Sequence, residues 1–251
     1  MSASGTTQAI YDRAAAQWVR TEKVLLSDFT ARPLVLDALA PLAGTTVLDL
    51  GCGEGYVARQ IRDRGAASLL GIELSEAMVS KAKASSSDPH LHWRQGSATD
   101  LDDLPDASYD RVLAVFLFNY LTCAEMTTVL THVHRLLKPG GKLVFTVPHP
   151  SLPWLRPQEP PFYFLPEDAA YMDDRDRTLE GRIWRRDGID VPVRCVHKTL
   201  DDYFGALATA GWTTLPVVKE LAVQPEHIEL DADFFGPLAG TPLHILFALQ
   251  R

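Results

Sequence analysis

Positive charge is in short supply: 24 Lys and Arg face 32 Asp and Glu, a formal charge of −8 over 251 residues. Nucleic-acid binding draws its affinity from clustered Lys and Arg, so a DNA or RNA partner is disfavoured. Cysteine is scarce as well. Cys52, Cys123 and Cys195 are the full set, with neither the pairing density of a disulfide scaffold nor a C-x-x-C spacing. His90 and His92 share a strand face and His132 and His134 are two apart on a helix, with no acid or cysteine in a ligand pattern, so no metal is expected. No apolar run approaches the length of a membrane span. Met1 to Thr7 lack the basic start and apolar core of a secretory leader. These absences imply a soluble, intracellular protein, read here as cytoplasmic, with no membrane partner. With 46% hydrophobic and 22% charged residues, the length suits one α/β domain carrying an insertion.

The informative stretch is Val47-Leu48-Asp49-Leu50-Gly51-Cys52-Gly53-Glu54-Gly55. A short apolar run of strand length enters a turn with glycine at every second position, and helix-compatible residues follow from Tyr56. Glycines without a Cβ let a ligand lie against the main chain, and the helix start beyond leaves N–H groups pointing into the same space. A dinucleotide fingerprint would need a glycine at position 56, where Tyr56 stands. Twenty positions beyond Gly53, a second strand pattern ends in the acid Glu73, suited to accept hydrogen bonds from two ribose hydroxyls. Cys52 has no base beside it and reads as a small residue in the turn rather than a nucleophile.

Gly51-x-Gly53-x-Gly55 after Asp49, followed by Gly71-Ile72-Glu73-Leu74-Ser75, resembles the class I S-adenosylmethionine-dependent methyltransferases, small-molecule subgroup. Leu136-Leu137-Lys138-Pro139-Gly140-Gly141 before a strand is a further shared feature, and the resemblance covers residues 45–148. It implies S-adenosylmethionine as cofactor, bound by Asp49, Gly51, Cys52, Gly53 and Glu73, with Leu74 and Met78 flanking the adenine. Where relatives carry an acid and a small residue for the adenine amino group, this chain has Ser97-Ala98, so that group falls to Ser97, to Thr99 or to a backbone carbonyl. Phe116, leaving the fourth strand, is the candidate carbonyl. Tyr11-Asp12-Arg13-Ala14-Ala15-Ala16-Gln17-Trp18 resembles an N-terminal lid helix whose aromatic closes over the cofactor, with docking on the core as the plainer role for Tyr11 and Trp18.

Alternating strands and helices predict a Rossmann-like α/β fold: a seven-stranded, mostly parallel sheet with helices on both faces, an antiparallel last strand, and a cap inserted after the fifth strand. The expected organisation is a single domain with lid helices over 1–44, a cofactor-binding core over 45–148, a substrate cap over 149–197, and a C-terminal helix and strands over 198–251. One helix is expected from Val24 to Leu39. The cap is rich in proline and aromatics, its second half looks like a hairpin turned at Asp187-Gly188, and its acids and bases nearly balance. Aromatic walls suit an apolar or aromatic small molecule. Asn119, Tyr120, Trp154 and Tyr203 are the candidates to contact it. His149, directly after the fifth strand, and His197, closing the cap, are the candidate bases or substrate positioners, in an arrangement that resembles a subgroup of small-molecule methyltransferases; an ordinary loop histidine is the alternative for each.

The expected activity is methyl transfer to an oxygen or nitrogen, with carbon as the remaining choice, of a small molecule such as those of specialised metabolism. A non-catalytic S-adenosylmethionine-binding protein is the rival, a nucleotide-dependent oxidoreductase a distant third. A monomer or homodimer is expected.

Overall fold

The computed structural model describes residues 3–251, apart from the side chains of residues 3–7, Ile10 and Ala14. The leader reading of Met1 and Ser2, and the core-facing reading of Ile10 and Ala14, fall outside the described residues. Three helices lead in: α1 (Ala3–Trp18), α2 (Leu26–Thr30) and α3 (Arg32–Leu39). The single helix expected over 24–39 is thus two, broken at Ala31. Pro33 stands in the first turn of α3 and cannot continue a helix from α2, because its ring would meet the carbonyl four residues back.

The alternating segment follows as β1 (Thr46–Leu50), α4 (Tyr56–Asp63), β2 (Ser68–Glu73), α5 (Glu76–Ala84), β3 (Leu91–Gln95), β4 (Tyr109–Val115), α6 (Cys123–Leu136) and β5 (Leu137–Pro148). Next come α7 (Leu152–Leu155), β6 (Phe162–Leu165), β7 (Thr178–Trp184) and β8 (Asp190–Val196). The chain ends with α8 (Leu200–Thr209), β9 (Val217–Leu221), α9 (Pro225–Leu230), α10 (Ala232–Phe235) and β10 (His244–Gln250). The seven-stranded sheet has the order β3-β2-β1-β4-β5-β10-β9, and β10 runs antiparallel to both its neighbours. The fold is the mostly parallel sheet with a reversed last strand that the sequence predicts.

The central strands are near-continuous apolar runs because both faces are covered. Val47, Leu48 and Leu50 of β1, with Val112, Leu113 and Ala114 of β4, are wholly buried. One face packs under α6 and α8 through Val129, Val133 and Leu207; the other under α3 and α4 through Leu36 and Ile61. Helix starts are marked by side chains that occupy otherwise unpaired N–H groups. At α6, Thr122 accepts from Glu125 N while the Glu125 carboxylate accepts from Thr122 N, a reciprocal box worth about 1 kcal/mol. The Lys138-Pro139-Gly140-Gly141 segment differs from expectation. Leu137 already pairs with Tyr109, and Lys142 resumes the ladder at Arg111, so the glycines form an irregularity within the β4–β5 pairing.

Beyond β5, a second sheet has the order β6-β7-β8, all antiparallel. The hairpin expected around Asp187-Gly188 is β7 and β8; β6, built from Phe162-Tyr163-Phe164-Leu165 among prolines, carries no alternation that would announce it. Its apolar face packs on Phe235, Leu238 and Leu243, which connect to the start of β10.

Gly71 of β2 pairs with Asp49 of β1, and a Cβ added there would stand 2.7 Å from both the Cys52 sulfur and the Trp93 ring. Neither neighbour is an exposed chain end that can swing aside. Gly71→Ala is expected to lower stability by about 1–3 kcal/mol through overpacking, read as a lower denaturant midpoint at unchanged slope.

Candidate functional site

The C-terminal ends of the parallel strands open into one large cavity of about 210 Å³. Its floor is the turn between β1 and α4. Gly51, Gly53 and Gly55 have φ of 71°, 56° and 81°, the left-handed region that favours glycine. Gly51 N donates to Ile72 O at 2.8 Å, drawing the turn against the end of β2. There Glu73 closes the clasp. One carboxylate oxygen accepts from Gly53 N at 3.1 Å, the other from Ser75 N at 2.9 Å. Burial raises the Glu73 pKa, against the lowering effect of those backbone N–H groups.

Asp49 projects from β1 into the same space. It is 2% exposed, and its Oδ2 has no hydrogen-bond partner among the described residues. Desolvation, with the neighbouring Glu73 charge adding to it and Arg32 opposing, lifts its pKa to about 7. A buried carboxylate left in this condition fits a ligand that brings a cation. Cys52 is buried, and desolvation pushes its thiol well above the usual range, which removes it as a nucleophile at neutral pH.

The sides of the cavity gather the other candidates. Leu74 and Met78 line it at the start of α5, where Ser75 caps the helix by accepting from Met78 N. Ser97, Ala98 and Thr99 line it beyond β3; the Ser97 and Thr99 hydroxyls lie 2.7 Å apart and Thr99 N donates to Ser97 Oγ. Asp100, one residue further, is exposed and does not line it. Phe116 follows β4 with φ of 60°, an uncommon conformation for a bulky residue and a mark of a backbone held for a purpose. Asn119 and Tyr120 follow, and the Asn119 Oδ1 is buried without a partner. Overhead, Tyr11 of α1 hydrogen-bonds Tyr120, and Asp12 accepts from the Ser75 hydroxyl, so the first helix is tied across the opening.

Four of the candidates stand elsewhere. His149, His197, Trp154 and Tyr203 do not line the large cavity. His149 follows Pro148, the last residue of β5, which lines both the large cavity and the smaller hollow that His149 borders. Its ring accepts from Ser151 N at Nδ1, so Nε2 carries the proton directed at Glu220, 3.1 Å away. His197 donates to the Tyr171 carbonyl at 2.7 Å and packs edge-on against Trp154, whose indole N–H is taken by the Ala169 carbonyl. Tyr203 is a core residue near Phe145 and Phe247. His149, His197 and Tyr203 border a second hollow of about 20 Å³, room for one water molecule but not for a substrate. The two histidines thus stand outside the lining of the large cavity, in a hollow that shares Asn119, Pro148 and Phe164 with it.

In their place the structure brings residues that sequence reasoning passed over. Arg32 of α3, Arg194 of β8, His244 of β10, and Phe162, Phe164 and Val193 of the second sheet all line the large cavity. One signal was available for His244. A strand antiparallel to β5 begins where β5 ends, so its first residue lands at the ligand-bearing edge, and His244 pairs with Pro148.

The comparisons agree with this geometry. Residues 47–141 match the family described as "Methyltransferase domain". That match lies within the β1–β5 segment, which holds the glycine turn and Glu73, and it is to a methyltransferase domain. The Asp49 Oδ2 without a partner among the described residues, the clasped Glu73 and the glycine turn fit S-adenosylmethionine as cofactor. An uncharacterized protein of Haemophilus influenzae is 30% identical over 139 residues, 53% of this chain and 54% of that one. A ubiquinone biosynthesis O-methyltransferase of Pseudomonas syringae is 33% identical over 121 residues, 44% of this chain and 47% of that one. The chain therefore spans about half the length of the curated relatives it matches. Among solved structures, an S-adenosylmethionine-dependent methyltransferase of Mesorhizobium loti superposes with a TM-score of 0.67 over 87% of this chain and 96% of that one, at 24% identity, a likeness of fold. Among the described residues no cluster of His, Cys, Asp or Glu could hold a metal, and no helix is long and apolar enough to cross a membrane.

A cationic ligand beside Asp49 favours its ionised form, so binding must release the proton that Asp49 retains below about pH 7. Affinity for S-adenosylmethionine is expected to rise with pH up to about 7 and then level off, and Asp49→Asn to flatten this slope, both measured by calorimetric titration across pH.

Proposed function

We propose that the protein transfers a methyl group from S-adenosylmethionine to an oxygen or nitrogen of a small apolar or aromatic molecule. The observation that carries this reading is the continuity of the large cavity. From the acids around the glycine turn it runs past Phe116 to a chamber walled by Phe162, Phe164, Ile183 and Val193 under the second sheet. Cofactor and acceptor would share one water-poor space. The cofactor supplies a methyl group on a sulfonium with a good leaving group, and the chain's part is positioning, desolvation and, for a protonated acceptor, removal of a proton.

In this reading Asp49 holds the cationic tail, Glu73 the ribose hydroxyls, and Leu74, Met78, Ser97, Ala98, Thr99 and the Phe116 carbonyl the adenine. Tyr11 closes the near side, with Asn119 and Tyr120 toward the acceptor. The residues of 149–197 act as the cap that selects the acceptor. Several relatives are named O-methyltransferases, which favours oxygen. The acid excess disfavours a polyanionic acceptor, and a cytoplasmic protein, monomeric or homodimeric, is the setting proposed.

Release of S-adenosylhomocysteine in the presence of hydroxylated aromatic molecules tests the reading; a protein that holds the cofactor unchanged with every acceptor offered is a binder and not an enzyme. Glu73→Ala removes a buried acceptor and is expected to weaken cofactor binding by about 1–3 kcal/mol, measured as the dissociation constant.

A further inference from the structure

His244 is 3% exposed, lines the large cavity, and has no hydrogen-bond partner at either ring nitrogen among the described residues. A buried polar group is nearly always paired, so an imidazole in this condition on a cavity wall is short of a ligand. Its surroundings define what that ligand is. Its ring stands edge-on to Phe116 at 5.0 Å and tilted to Phe162 at 5.9 Å, between the end of β4 and the second sheet. A flat ring fits between such faces.

Charge narrows the chemistry. The acids lining the cavity are Asp49, Glu54 and Glu73, on β1, the glycine turn and the end of β2 respectively. Arg32, 5.5 Å from the Phe116 ring and held by Asp28 at 3.0 Å, and Arg194 of β8 line the same cavity as His244. His149, just beyond the end of β5, directs its Nε2 at Glu220. None of the lining acids stands on the strands beside His244, so an ammonium-bearing acceptor finds no carboxylate in the lining there, whereas a neutral hydroxyl can hydrogen-bond the ring.

Resting on the methyl-transfer reading above, we propose that His244 contacts the reacting hydroxyl of a phenolic or enolic acceptor and takes its proton, with Asn119 orienting that hydroxyl from the same cavity wall. The O–H bond breaks with its proton on the imidazole. The freed oxygen pair forms the O–CH₃ bond as the S–CH₃ bond breaks, that bond's electrons stay on sulfur, and the imidazolium returns the proton to water when product leaves. Burial, then Arg32 and His149, hold the His244 pKa down to about 3 in the free protein, so the ring is neutral and its lone pair available. An oxyanion formed beside the ring offsets the cost of charging it.

The test uses 4-nitrophenol, whose ionisation is visible by absorbance, titrated into the protein saturated with S-adenosylhomocysteine. Wild type is expected to bind it with a shifted apparent phenol pKa. His244→Phe should bind it about tenfold more weakly, the loss of one hydrogen bond from a buried group. His244→Gln should retain most of the affinity but lose the shift, because an amide hydrogen-bonds without taking a proton. Equal affinity and equal phenol pKa in all three proteins would overturn the role of His244 and leave methyl transfer standing. Uptake of S-adenosylhomocysteine without any nitrophenol binding would overturn the phenolic acceptor. Failure of wild type to bind S-adenosylhomocysteine would sink the methyltransferase reading itself.

Discussion

The Glu73 carboxylate, buried between two backbone N–H groups, is the contact on which the site depends. It ties Gly53 of the first loop to Ser75 at the head of α5, so the glycine turn and the second strand cannot move independently. Ser75 in turn caps α5 and donates to Asp12, which draws α1 over the same point. Backbone donors to a buried carboxylate are strong and directional, and the remaining lone pairs face the cavity. A single side chain thus sets the relation of floor, wall and cover before any ligand arrives.

Around that clasp the structure distributes charge unevenly. Arg20 pairs with Asp28 through two bonds of 2.8 Å and lies near Glu54, which Arg59 also holds. This network anchors the segment between α1 and α2 behind the glycine turn and spends its charges on one another. Asp49 has no such partner, and its raised pKa is the electrostatic record of that. Arg32, which Asp28 also holds at 3.0 Å, and Arg194 line the cavity as well.

The cofactor half was legible in the sequence because its chemistry is local. A glycine turn, an acid at the end of the next strand and a capping serine are set by residues within a few positions of one another, and the strands between read as uninterrupted apolar runs. Every cofactor candidate from Tyr11 to Phe116 lines the one cavity. The acceptor half was not legible, because its wall is assembled from α3, β8 and β10, which lie far apart along the chain and meet only through the sheet order. Proximity along the chain did not bring His149 into the lining of that cavity, since it follows β5 directly but directs its Nε2 at Glu220.

The same reasoning explains why the reversed strand matters for function. In a wholly parallel sheet each strand delivers its last residue to the ligand edge, so the eye follows strand ends. β10 delivers its first residue instead, and its register opposite Pro148 on β5 and Leu221 on β9 seats His244 between two paired strands. A loop histidine would need its own packing to be held with comparable rigidity. A histidine at the start of the reversed strand inherits its position from the sheet, which is the condition a proton-accepting group must meet to act on a hydroxyl held beside it.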